Sequence, residues 1–132
     1  MQPKTTLTIA SIIGLIFSSA MFLAPEFVTR EQFPNSEGQG FADLVTLRYA
    51  IASIILALVI ISYHLRDITG HAFQIHVMRG YTLAFGVVCI TNLALQLTGK
   101  ISAVPPIVGT GVIAVLSLLT WRRLVSRTKE EA

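Results

Sequence analysis

Residues 44–63 read LVTLRYAIASIILALVIISY, and Arg48 is the one charged side chain among them. Twenty residues at about 1.5 Å each make a helix of about 30 Å, the thickness of a bilayer's hydrocarbon core. Lipid offers no hydrogen bonds, so a spanning segment must satisfy its backbone internally. A continuous apolar run therefore reads as a helix, whereas a barrel needs shorter strands of alternating polarity.

Three further runs flank this one: Leu7–Ala24, Gly80–Thr98 and Val104–Trp121, of 18, 19 and 18 residues. The whole chain of 132 residues is 53% hydrophobic and 13% charged, against about 25% charged in an ordinary soluble domain. Its mean hydropathy is +0.70. The expected fold is all-α: one membrane domain over residues 1–132, an antiparallel bundle of four transmembrane helices with a charged tail from Arg122. The first run is kept as a helix rather than a removable leader. Its apolar character continues past Ser18-Ser19-Ala20, through Met21-Phe22-Leu23, to a stop at Pro25.

The breaks have local causes. Pro25 ends the first helix, and Pro34, Gly38 and Gly40 punctuate a polar connection to Ala42. The second connection, His64–Arg79, is partly amphipathic and has room for a short interfacial helix. Gly99 and Lys100 end the third helix, and Pro105-Pro106 suit the first turn of the fourth. Four spans put both termini on one side with the second connection. That side holds Lys4, Arg66, Arg79, Arg122, Arg123, Arg127 and Lys129, against Arg30, Arg48 and Lys100 opposite. Seven basic residues against three place both termini in the cytoplasm.

Small residues at helical spacing are where membrane helices approach closely. The candidates are Ala10, Gly14 and Ser18 in the first helix, and Ala50, Ser53 and Ala57 in the second. The third offers Gly80, Ala84 and Val88, and the fourth Thr110, Ala114 and Ser117.

Arg48 is the most informative single residue. An arginine about one turn inside a membrane helix needs water or a partner, since at the bilayer centre it costs about 2.5 kcal/mol or more. One reading is snorkelling to the outer headgroups with Asp43 or Glu26 as counter-ion. The other is an anchor for an anion or carbonyl in an outward-opening pocket, with Asn92 and Gln96, four apart on the third helix, at similar depth. Asn92 and Gln96 could equally serve as interhelical hydrogen-bonding groups. The expected ligand-binding set is Arg48, Asn92, Gln96 and Glu26.

Other groups carry less. Glu26, Glu31, Glu37 and Asp43 match no ligand spacing and read as a solvated loop. His64, His71 and His76, at spacings of seven and five, do not share a helical face, so neither a metal site nor a haem cofactor is expected. Cys89 is alone, which excludes an intrachain disulfide and a CxxC redox pair. No carboxylate lies inside the first run, which argues against a small proton-coupled exporter. No Ser/His/Asp set, HExxH or phosphate-cradling glycine loop is present.

The layout resembles the DoxX-like group of small bacterial membrane proteins. It combines four short spans, an outer connection after the first, and a second helix that opens with Leu47-Arg48-Tyr49-Ala50 and closes with His64-Leu65-Arg66-Asp67. The resemblance implies a four-helix bundle in a bacterial inner membrane, with some members linked to oxidoreductase or respiratory complexes, and carries over Arg48 as a matching position but no activity. The resulting expectation is a bundle that binds a lipid-like ligand or a partner membrane protein, with no nucleic acid involved. A small enzyme acting on an apolar carbonyl compound, and a homo-oligomeric channel or transporter, are the alternatives.

Overall fold

The computed structural model describes residues 2–130. It is an all-α membrane bundle with five helices: α1 (Pro3–Leu23), α2 (Pro25–Gln32), α3 (Gly38–Leu65), α4 (His71–Leu97) and α5 (Val104–Glu130). α1, α3, α4 and α5 are each long and apolar enough to cross a membrane. At about 1.5 Å per residue, the 28 residues of α3 run to about 42 Å. α3, α4 and α5, at 28, 27 and 27 residues, therefore overhang an apolar layer of about 30 Å, whereas the 21 residues of α1 only just cross it.

The helices exceed the apolar runs because polar residues also continue a helix once it has nucleated. The second connection shrinks to five residues, 66–70, and His71 and His76 lie in the opening turns of α4. No separate interfacial helix forms there. The basic tail likewise continues α5 to Glu130. Pro25 does more than stop α1: Ala24 turns out of helical geometry (φ −138°, ψ 56°), and Pro25 takes the first position of α2. There its missing N–H costs nothing and Glu26 in the first turn favours the positive helix end.

α4 ends where Gly99 adopts φ +70°. The Gly99 N–H donates to the Gln96 carbonyl at 3.0 Å and the Lys100 N–H to the Leu95 carbonyl at 3.2 Å, the paired bonds of a Schellman cap. A side chain would strain that left-handed position.

Packing is uneven. α1 lies along α3 and α4 along α5, and the two pairs meet through α1 and α5, whereas α3 and α4 stay apart over most of their length. The α1–α3 seam is built on the small residues. A Cβ at Gly14 would stand 2.6 Å from Val59 Cγ2. Ser18 Oγ donates across the seam to the Ala52 carbonyl at 3.0 Å, and Ala10 and Ala52 are buried. The expected α3 stripe is corrected: Ala50, Ser53 and Ala57 are exposed, and Ala52, Ile55 and Val59 face α1 instead. Gly80, Ala84 and Val88 are exposed as well, and nothing lies within 4 Å of a Cβ built at Gly80. On α5 the buried positions are Gly109, Ile113, Ser117, Thr120 and Leu124, so of the expected fourth-helix stripe Ser117 is buried while Thr110 and Ala114 are half-buried.

The tightest core lies at the end of the bundle that carries the termini. Leu7, Met78 and Leu124 are buried together against Tyr81 and Trp121, and Thr6 and Thr120 share a hydroxyl hydrogen bond of 2.7 Å. Lys4 pairs with Asp67 at 2.9 Å, and His71 Nε2 meets Thr128 Oγ1 at 2.9 Å. These contacts bring the start of α1, the α3–α4 turn and the end of α5 together. The opposite end is closed by α2 and by the loop before α5, which are joined by the Ser102 N–H donating to the Gln32 carbonyl at 2.9 Å.

Candidate functional site

Between the two helix pairs runs an apolar cleft of about 310 Å³. It exists because α3 and α4 do not pack closely where α1 packs α3. Ala10, Gly14, Phe17, Ile51, Ile55, Phe85, Val88 and Ile113 form its walls, and Arg48, Gln32, Asn92, Thr110 and Ser62 supply its polar groups. Arg48 and Ser62 mark its length along α3, fourteen residues apart, or about 21 Å. Near Ser62 the hydroxyls of Ser62 and Tyr81 are hydrogen-bonded, joining α3 to α4. At the other extreme, Arg48, Gln32, Ile51 and Asn92 also line a second opening, which reaches Lys100 and Ile101 in the loop before α5. The cleft is thus an apolar slot, tied across near the termini end and polar at the α2 end.

Arg48 does not extend outward from the bundle. Its side chain is 4% exposed and turned into the bundle. Nε donates to Thr29 Oγ1 at 3.3 Å, and the guanidinium lies 5.4 Å from the centroid of the Phe33 ring. Thr29 is able to accept because its own proton goes to the Pro25 carbonyl at 2.7 Å. One guanidinium nitrogen, Nη2, is buried with no hydrogen-bond partner among the described residues. The salt bridges of the described residues are Lys4–Asp67 and Arg66–Asp67, so neither Asp43 nor Glu26 neutralises Arg48. A neutral hydroxyl and an aromatic face hold a buried cation in place without cancelling its charge.

The four expected site residues separate. Arg48 and Asn92 line the same cleft. Asn92 Nδ2 donates to the Val88 carbonyl on its own helix at 2.8 Å, and no hydrogen bond joins it to Arg48. Gln96 turns elsewhere: its Oε1 accepts the Ala103 N–H at 3.2 Å and fixes the loop before α5. Glu26 is exposed in the first turn of α2. The sequence reading missed Thr29, Gln32 and Phe33, all carried by α2 or its end. The available signal was Pro25 followed by Glu26, a helix-start pattern read only as a stop.

The histidines do not converge. His64 Nδ1 lies 2.9 Å from the Ile60 carbonyl, and His71 meets Thr128. Among the described residues no three of His, Cys, Asp and Glu are grouped as metal ligands. Cys89 is half-buried beside α5, where a Cβ at Gly111 would stand 3.4 Å from its sulfur.

In comparison with known proteins, the chain matches no family model, no curated protein and no solved structure.

Proposed function

We propose that this protein binds an amphipathic, lipid-like molecule, with its polar head on Arg48 and its tail in the slot toward Ser62. The observation that carries the reading is the buried guanidinium with an unused nitrogen at the polar end of an apolar cleft. Removing a charge from water costs several kcal/mol when nothing opposes it, and a hydrogen bond to a charged group contributes about 1.5–3 kcal/mol. A carboxylate, phosphate or carbonyl oxygen at Nη2 would offset part of that cost. The gap between α3 and α4 offers a lateral route from the bilayer, so the tail need not cross water.

The seven-to-three basic asymmetry supports cytoplasmic termini, and the DoxX-like layout supports a bacterial inner membrane. In that orientation Arg48 lies toward the outer face.

The test is a titration with a long-chain fatty acid as probe, read by native mass spectrometry on detergent-solubilised protein. Wild type is expected to retain one bound fatty acid per chain, and Arg48→Ala to lose it. Equal occupancy in the two proteins would overturn the reading.

A second reading, association with another membrane helix or a second copy, is favoured by the outward small residues Ala50, Ser53 and Ala57 on α3 and Gly80 and Ala84 on α4. Such stripes permit close backbone approach. Ala57→Leu together with Gly80→Leu should then reduce the assembled mass in detergent. An unchanged mass excludes this use of the faces.

A further inference from the structure

We infer a second binding site, at the opposite end of the bundle from Arg48 and independent of it: a basin for the phosphate group of an anionic lipid headgroup. The basin is an open polar cleft of about 600 Å³ between the start of α1, the α3–α4 turn and the end of α5. Four cations line it: Lys4, Arg66, Arg123 and Arg127. Among the described residues its one carboxylate is Asp67, held by Lys4 at 2.9 Å and by Arg66 Nε at 3.4 Å. The charge of Asp67 is therefore already shared, and Arg123 and Arg127 add two further cations.

Three features make this more than a basic helix end. Arg123 and Arg127 are four apart on α5, so their like charges share one face, an unfavourable pair that an anion between them relieves. Arg66 is pinned, its guanidinium 3.6 Å from the centroid of the Tyr63 ring, so a cation is already oriented without a ligand. The first turn of α4, which contributes His71 to the basin wall, carries neither a side-chain cap nor an acidic residue. Its N–H groups add positive potential on the same side.

Tyr63 and Trp121 lie on the adjoining turns, as aromatic side chains at a membrane–water boundary do. This sets the basin at headgroup depth. The α2 end has the opposite chemistry, with Glu26, Glu31, Glu37 and Asp43 around Arg30 and Lys100, and offers no equivalent. A phosphate held by Lys4, Arg66 and the α5 arginines would add a further tie among three segments already joined by the Lys4–Asp67 pair, the His71–Thr128 hydrogen bond and the Leu7–Met78–Leu124 core.

The probe is an equimolar mixture of phosphatidylglycerol and phosphatidylcholine presented to the full chain in detergent, with retained lipid read by native mass spectrometry. Wild type should retain phosphatidylglycerol at least tenfold over phosphatidylcholine. Each basic residue near an anionic surface changes binding about fivefold, so Arg123→Gln with Arg127→Gln should abolish the preference and Lys4→Gln alone should reduce it. Arg30→Gln should leave it intact. Millimolar inorganic phosphate separates the sources. Displacement of the lipid identifies free phosphate as a sufficient occupant, and retention of the lipid identifies the headgroup. No preference in wild type, or one that survives both the double variant and Lys4→Gln, overturns the inference. Because Arg48 is unchanged in all these variants, fatty-acid binding there is scored separately.

Discussion

Arg48 Nε donates to Thr29 Oγ1 at 3.3 Å, and this bond ties the short helix α2 to the membrane helix α3 around a cation that has no carboxylate partner among the described residues. The relationship makes Thr29, 0% exposed, the orienting group for Arg48. It also makes α2, on the connection from α1 to α3, part of the wall at the polar end of the cleft, where Gln32 lines it.

Thr29→Val removes the acceptor while keeping the shape. It should destabilise the protein by about 1–3 kcal/mol, the cost of a buried polar group left without its partner, whereas Thr29→Ser should retain most of the stability. Thermal unfolding in detergent distinguishes them. Equal melting of Val and wild type would mean that Thr29 only packs.

Arg48→Met should leave the ligand-free protein equally stable or more stable, by up to about 4 kcal/mol, because an apolar side chain of similar length replaces a buried charge. Arg48→Lys keeps the charge but loses the fork. A marked fall in melting temperature for Met would show that the bond to Thr29 and the contact with Phe33 outweigh desolvation.

Gly14→Ala places a methyl group 2.6 Å from Val59 Cγ2 and should cost about 1–3 kcal/mol. Val59→Ala in the same chain should recover much of that loss, which a double-mutant cycle measures. Gly80→Ala meets nothing within 4 Å and should stabilise α4 by up to about 1 kcal/mol through helix propensity. Equal effects at the two glycines would remove the close contact as the cause.

The Asp67 carboxyl is held below its ordinary range, first by the hydrogen bond from Lys4 and then by the neighbouring positive charges of Lys4 and Arg66. A carboxylate whose pKa is depressed on folding contributes stability above its unfolded pKa of about 3.9, and loses it as pH falls through the lower folded value. Asp67→Asn should therefore melt below wild type at neutral pH, with the gap closing as pH drops below about 4. A gap that is constant with pH would assign the effect to something other than the ion pair.

Cysteines introduced at Asn35 and Ser126 in a Cys89→Ala background should label from opposite sides of the membrane, Ser126 from the cytoplasm. The basis is the basic residues at the termini end. Reversed labelling would overturn the orientation while leaving the bundle unaffected.

Four spans were legible because the membrane criterion is one-dimensional: length and polarity along the chain suffice, since each helix satisfies its own backbone. Arg48 stood out for the same reason, a charge in an apolar run. Helix faces were less legible. Gly14 and Ser18 do meet α3, yet Ala50, Ser53 and Ala57 also recur at helical spacing and are exposed, because lipid accepts small residues as readily as a neighbouring helix does. The surroundings of Arg48 were not legible at all. Thr29 and Phe33 lie 19 and 15 residues upstream, on a helix whose polar composition resembles a loop. Asn92 and Gln96 share a helical face, but Gln96 turns to Ala103, because the loop before α5 has a backbone N–H that needs an acceptor. The sequence alone determined that the chain is a helical membrane bundle with one charge placed within its second span. Only the tertiary structure decided where that charge points, because its direction depends on which segments, distant along the chain, fold back over it.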